Sequence, residues 1–183
     1  MVDPLAKKKL FIALQSAIFL EVAKQAAVGF TGGILEITPP TPLIIEDLET
    51  LHNRGLLRWD AAVKFSSLCE LIEEHPIKLC IYYKRKPVGY ATGCFNSETN
   101  TVEMFWLEKR SDCDPDFDHK FFPLVLDAFS AYAMSLSLHD IFPRKIAVLS
   151  PIEACIEHYS DSGMTYTDNY HRGCPAMILF RSV

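Results

Sequence analysis

The spacing of apolar positions changes along this chain and separates a helical front from a strand-rich remainder. Between Leu10 and Val28, Ala, Leu and Ile are interleaved with Gln15, Glu21, Lys24 and Gln25, a composition that predicts a helix ending at Gly29, Gly32 and Gly33. Thr38 to Pro42 carries three prolines in five positions and must be an extended connection, because proline lacks a donor and restrains the residue before it. A short helix is expected from Ile45 to Asn53, with Gly55 as its stop. Another is expected from Trp59 to Glu74, where Ala62, Phe65, Cys69 and Ile72 recur at helical spacing.

From Ile77 the period shortens to two. Leu79, Ile81 and Tyr83 alternate with Lys78, Cys80 and Tyr82, and the charged turn Lys84 to Pro87 leads into a strand from Val88 to Phe95. A polar turn, Asn96 to Asn100, and a β-rich stretch, Thr101 to Leu107, complete a predicted antiparallel meander. After a loop from Ser111 to Lys120, Phe121, Val125, Ala128, Phe129 and Tyr132 share one face of a helix running to Leu138, with Pro123 in its first turn. Lys145 to Leu149 reads as a short strand. Ser150 then reads as the cap of a helix that starts at Pro151, carries Glu153 in the capping-box position and ends near Gly163; Ala176 to Phe180 is the last strand. The pattern predicts an α/β protein with a mixed, mostly antiparallel central sheet flanked by helices. An N-terminal helical region, 1–76, packs on a core, 77–183.

Charge and cysteine usage narrow the partners. Eighteen basic against 23 acidic side chains give a net charge of -5, so attraction to phosphate backbones over the whole surface is not expected, which leaves room only for a local basic site, and no nucleic-acid partner is expected. Cys69, Cys80, Cys94, Cys113, Cys155 and Cys174 are scattered without a CxxC pair, which points to reduced thiols and a cytoplasmic location. Lys7 to Lys9 before the apolar run Leu10 to Leu20 imitates a signal sequence, but Gln15 and Ser16 interrupt the run and Glu21 and Lys24 follow it. The expectation is a helix lying on the domain or on a partner, with no integral membrane contact. The N-terminal helices are the expected surface for a homodimer or another protein.

Several chemistries find no support in spacing. His52, His75, His119, His139, His158 and His171 form neither HExxH nor a compact ligand series, so no metal is expected. Asp112, Asp114, Asp116 and Asp118 alternate like calcium ligands, yet Phe117 stands where an EF-hand loop needs glycine and Pro123 where it needs a bidentate carboxylate. Ser150, Ser160 and Ser162 lack a nucleophile-elbow context, and Gly29, Gly32 and Gly33 make no dinucleotide fingerprint.

The run Ile146 to Met164, IAVLSPIEACIEHYSDSGM, resembles the closing part of the GCN5-related N-acetyltransferase superfamily, in which a strand feeds a helix that ends in tyrosine, polar residues, glycine and a hydrophobic residue. Lys86 to Gly89, entering GYATGCF, resembles the turn between that superfamily's second and third strands. The resemblance covers roughly residues 77 to 181. It implies acetyl-CoA or another acyl-CoA as donor, with contacts around Trp106, Leu107, Lys109, Arg110 and Ser111 and then Asp118 to Phe122. It also implies Tyr159 as the acid that protonates the departing thiolate. The superfamily's glycine-containing pyrophosphate loop has no counterpart in Lys109 to Asp118, where Lys109 and Arg110 are the candidate electrostatic substitutes.

A general base must reach the acceptor directly or through water, and Glu103, on the strand before the expected bend, ranks above His158. The implied activity is acyl-CoA-dependent N-acyl transfer to an amine-bearing small molecule or a protein lysine. Two alternatives stay open. One is a catalytically inactive, protein-binding domain of this fold; the other is an acyl carrier protein-dependent lysine acyltransferase of the toxin-activating type.

Overall fold

The structure is a computed structural model that describes residues 4–67 and 74–181. The elements are α1 (Pro4–Ala26), β1 (Leu35–Thr38), α2 (Pro42–Asn53), α3 (Ala61–Ser67), β2 (Glu74–Tyr83), β3 (Lys86–Asn96), β4 (Thr101–Lys109), α4 (Phe121–Ser135), β5 (Lys145–Leu149), α5 (Ile156–Asp161), β6 (Thr165–His171) and β7 (Cys174–Phe180). Seven strands form one sheet in the order β1-β2-β3-β4-β5-β7-β6. All neighbours are antiparallel except β4 and β5, which run parallel. The predicted mixed, mostly antiparallel sheet is therefore present.

The helices cover both faces. One core cluster joins Phe19, Val22 and Ala23 of α1 and Phe121, Val125 and Phe129 of α4 to Ile77, Leu79, Ile81, Val102 and Ile146 of the sheet. On the opposite face, Leu48 and Leu51 of α2 and Ala61 and Phe65 of α3 pack with Cys80, Tyr82 and Tyr90. This separation follows from the period of two along β2, which sends alternate side chains to opposite faces.

Several sequence expectations change. The division at residue 76 falls within β2, and residues of the N-terminal part enter both the sheet, through β1, and the main core. Gln15, which interrupts the apolar run of α1, is buried: its Nε2 donates to the Pro76 carbonyl at 2.7 Å and its Oε1 accepts from the Lys78 N–H at 3.2 Å. It thus ties α1 to the start of β2. Lys9–Gly29 and Phe121–His139 are long and apolar enough to cross a membrane by composition alone, and the second packs in the core. The predicted helix from Trp59 to Glu74 is realised as α3 only, and Cys69 and Ile72 lie outside the described residues.

Ser150 does not cap a helix. Its φ is 47°, its N–H donates to the Pro175 carbonyl at 2.8 Å, and its hydroxyl lies 3.3 Å from the Cys174 thiol. A turn away from the sheet therefore intervenes, and regular helix begins only at Ile156. The strands Leu35–Thr38 and Thr165–His171 were outside the predicted pattern.

One irregularity in β4 positions everything that follows. Thr92 pairs with Trp106 and Gly93 with Met104, so Phe105 is an extra residue, a β-bulge. Pairing with β5 ends at the same place, with Met104 opposite Val148. Beyond it, β4 continues to Lys109 with β3 on one side and, among the described residues, no strand on the other.

Candidate active site

Strand geometry sends successive N–H and C=O groups to opposite edges, so alternate backbone groups of residues 105–109 face the gap between β4 and β5 without a ladder partner. An exposed edge of this kind can pair with an extended amide-bearing chain. Two cavities open on it. The first, of about 570 Å³, is lined by Leu107, Lys109, Phe117 to His119, Phe121 and Phe122, together with residues from Ala154 to Asp161. The second, of about 350 Å³, is lined by Trp59, residues 104–107 of β4, Val148 to Ile152, Tyr159 and Cys174. Leu107 and Tyr159 line both, so the cavities meet there.

The first cavity holds the start of α4. The opening turn of a helix leaves backbone N–H groups without helical acceptors, and its dipole favours an anion. Lys109 adds a cation, whereas Asp118, Glu157 and Asp161 add carboxylates; His119 and His158 lie with ring centroids 5.9 Å apart. His119 has φ 60°, a left-handed conformation at a non-glycine position.

The other carboxylates of the loop turn elsewhere. Arg110 donates to both oxygens of Asp112 at 2.6 and 2.9 Å and to the Pro87 carbonyl at 3.1 Å. Lys84 donates to Asp114 at 2.8 Å, and Tyr83 donates its hydroxyl proton to Asp116 at 2.5 Å. These bonds hold the loop against the β2–β3 turn. Hydrogen bonds from Arg110 and Lys84 respectively keep the carboxyls of Asp112 and Asp114 below the ordinary aspartate range. A carboxyl that titrates lower in the folded than in the unfolded chain stabilises fully above its unfolded pKa, about 3.9, and loses that contribution as pH falls through the lowered folded value. Thermal unfolding of Lys84→Met is therefore expected to show a shallower decline than the parent below about pH 4. Identical pH profiles would remove Lys84 from this role.

Tyr159 is 7% exposed and packs on Phe122, with ring centroids 4.4 Å apart. Burial, and then the neighbouring Cys155, push its phenol well above the ordinary tyrosine range, so it stays protonated. A protonated phenol at the junction of two cavities can give a proton to a leaving group held there.

The sequence candidates separate in space. Trp106, Leu107, Lys109 and Tyr159 line the cavities. Arg110 and Ser111 do not: Arg110 is held by Asp112 and Pro87, and the Ser111 N–H donates to the Leu56 carbonyl at 3.0 Å. Glu103 lines neither cavity. It is 4% exposed, and its Oε1 accepts from Tyr170 at 2.8 Å, Asn96 at 2.9 Å and Thr99 at 3.3 Å. The strand alternation that was expected to aim Glu103 into the cleft places it under β6 instead, ahead of the bulge. Trp59, Phe105 and Cys174 were missed. Trp59 arrives from the α2–α3 loop, where Glu108 accepts the N–H groups of Arg58 at 2.5 Å and Trp59 at 3.2 Å. Its ring stands edge-on to Trp106, with centroids 5.3 Å apart.

The seven-stranded sheet parts between parallel strands beside a bulge, with a helix N-terminus and a tyrosine at the opening. The chain has the fold of the GCN5-related N-acetyltransferases. It is similar to the GNAT domain of S. lividans PAT, with TM-score 0.55, 11% identity, and 82% of this chain and 92% of that one covered. It is also similar to the ribosomal-protein-S18-alanine N-acetyltransferase from Escherichia coli, with TM-score 0.51, 14% identity, and 81% and 95% covered. A third similar structure is Arabidopsis thaliana NAA60 in complex with a bisubstrate analogue, with TM-score 0.53, 12% identity, and 80% and 97% covered. No protein-family model and no curated protein matches the sequence.

Proposed function

We propose that this chain is an acyl-CoA-dependent N-acyltransferase acting on an amine acceptor. The observation that carries the reading is the parting of β4 from β5 at Met104 and Val148, with Tyr159 at the point where both cavities meet. The unpaired groups of residues 105–109 suit the amides of a pantetheine arm, and the start of α4 with Lys109 suits its phosphates. Acyl-CoA would supply an activated thioester carbonyl. β4 would hold that carbonyl by its free N–H groups, Tyr159 would protonate the sulfur as the C–S bond breaks and the C–N bond forms, and the acceptor's surplus proton would pass to water.

Calorimetric titration with acetyl-CoA is expected to give saturable binding. The carboxylates of Asp118, Glu157 and Asp161 around the phosphate seat favour a second reading, a donor with less phosphate charge than CoA, such as the acyl-phosphopantetheine of an acyl carrier protein. Acyl carrier protein in a parallel titration separates the two readings. Binding of neither donor would overturn the transferase reading and leave a protein-binding domain of this fold.

A further inference from the structure

The second cavity carries information about the acceptor. Donor phosphates would enter at the charged first cavity and the thioester would lie near Tyr159, so the space beyond, walled by Trp59, Phe105, Trp106 and Leu149, is where an acceptor meets the carbonyl. Among the described residues, no Asp, Glu, Lys, Arg or His lines that space. Its polar side chains are those of Ser150, Tyr159 and Cys174 and the indole N–H groups.

The surroundings carry the point further. The faces of the two indoles are what would attract an ammonium group in the absence of a carboxylate. They already have cations: the Lys64 ammonium lies 3.4 Å from the Trp106 ring centroid, and the Arg58 guanidinium 5.5 Å from that of Trp59. The carboxylates behind the walls are committed. Glu108 accepts from the N–H groups of Arg58 and Trp59, Asp60 from those of Ala62 and Val63, and Glu103 from Tyr170, Asn96 and Thr99. A second ammonium on an acceptor would lose water here and gain no counter-charge, which is unfavourable, whereas an alkyl or aryl body would gain by burial against indole.

We propose that this cavity seats a monoamine with an apolar alkyl or arylalkyl body and discriminates against polycationic amines. The proposal rests on the transferase reading. The reactive nitrogen faces the thioester carbon near Tyr159, and the apolar body lies against Trp59 and Trp106. Lys64 acts as a specificity residue by placing a positive charge behind the wall.

The test measures thiol release from acetyl-CoA with phenethylamine, n-hexylamine, putrescine, spermidine and a lysine peptide. Phenethylamine and n-hexylamine are expected to exceed putrescine in kcat/KM by about tenfold or more, and Trp59→Ala to raise the phenethylamine KM by about tenfold. Lys64→Gln, which removes the charge over Trp106, is expected to narrow the gap by improving putrescine. The two tryptophans of the chain both stand in this wall, so their fluorescence should shift when phenethylamine is added in the presence of CoA. A preference for putrescine, spermidine or the lysine peptide would overturn the proposal, as would unmoved fluorescence during turnover of phenethylamine. So would a rate that climbs steadily from acetyl- to octanoyl-CoA, since the cavity would then belong to the acyl chain. Failure of acetyl-CoA to bind at all is a different result and removes the transferase reading itself.

Discussion

Tyr159→Phe is expected to lower kcat by about 100-fold or more with an acetyl donor while changing donor affinity by no more than about twofold. The substitution removes one oxygen and keeps the ring that packs on Phe122, so the walls of both cavities survive. What is lost is the proton that burial and Cys155 keep on the phenol, available to a thiolate leaving at the junction. Paired measurements separate the roles: calorimetry reads donor binding, and steady-state kinetics reads the chemical step. An unchanged kcat would mean that the proton comes from water and that Tyr159 is a packing residue. Tyr159→Ala is the poorer test, because a side chain only 7% exposed leaves a void when truncated and the loss of activity then mixes with a loss of stability.

The second large effect concerns folding. Gly93→Ala is expected to destabilise the protein by about 3 kcal/mol, lowering Tm by roughly 6–12 °C, with urea unfolding as the check. A Cβ at Gly93 would run into the carbonyl oxygen of Glu103 on β4 and would lie 2.7 Å from the Phe129 ring of α4. Backbone on one side and a fully buried aromatic on the other leave no cheap adjustment. The clash sits where Gly93 faces the bulge at Phe105, so any relief would shift β4 at the mouth of the cleft. Gly89 repeats the arrangement about two turns of α4 earlier, against Phe121 and the Glu108 carbonyl. Together the two glycines let α4 lie close on β3 and bring its N-terminus to the first cavity. Gly29→Ala is the control, since a Cβ there meets nothing within 4 Å and should change stability by less than about 0.5 kcal/mol. Equal stability of the two variants would contradict this account.

Much of the architecture could be read from local pattern. The period of two in β2, the strand-like runs of β3 and β4 and the apolar face of α4 were plain, because these elements bury their apolar side chains where helices meet the sheet. The edge strand β6 escaped because its residues, Thr165 to His171, are mostly outside the core and carry no alternation; it is a strand because β7 offers it a ladder. The same limit explains Ser150. A serine followed by proline and, three residues on, by Glu153 matches a capping box, but the chain leaving β5 must turn from the sheet, and the Pro175 carbonyl takes the Ser150 N–H.

In the site, Tyr159, Trp106, Leu107 and Lys109 are singled out by the resemblance to the GCN5-related N-acetyltransferases, which implies a tyrosine acid before the polar run and Gly163 and donor contacts at the end of the strand. Glu103 shows where reading by alternation fails. Strand alternation assigns a side chain to a face, yet one extra residue at Phe105 inverts the alternation beyond it, and Tyr170 from a distant strand closes over the carboxylate.

The sequence by itself therefore determined the order of the main strands and helices, the acidic balance and the tyrosine at the end of the last helix, all properties of neighbours along the chain. Only the tertiary structure decided that β4 and β5 lie side by side and then part, that Trp59 stands against Trp106, and that three of the loop's four aspartates face away from the cleft. Most of those features join residues 30 to 47 positions apart, and their energy comes from hydrogen bonds and packing that exist only once the sheet has closed around its core.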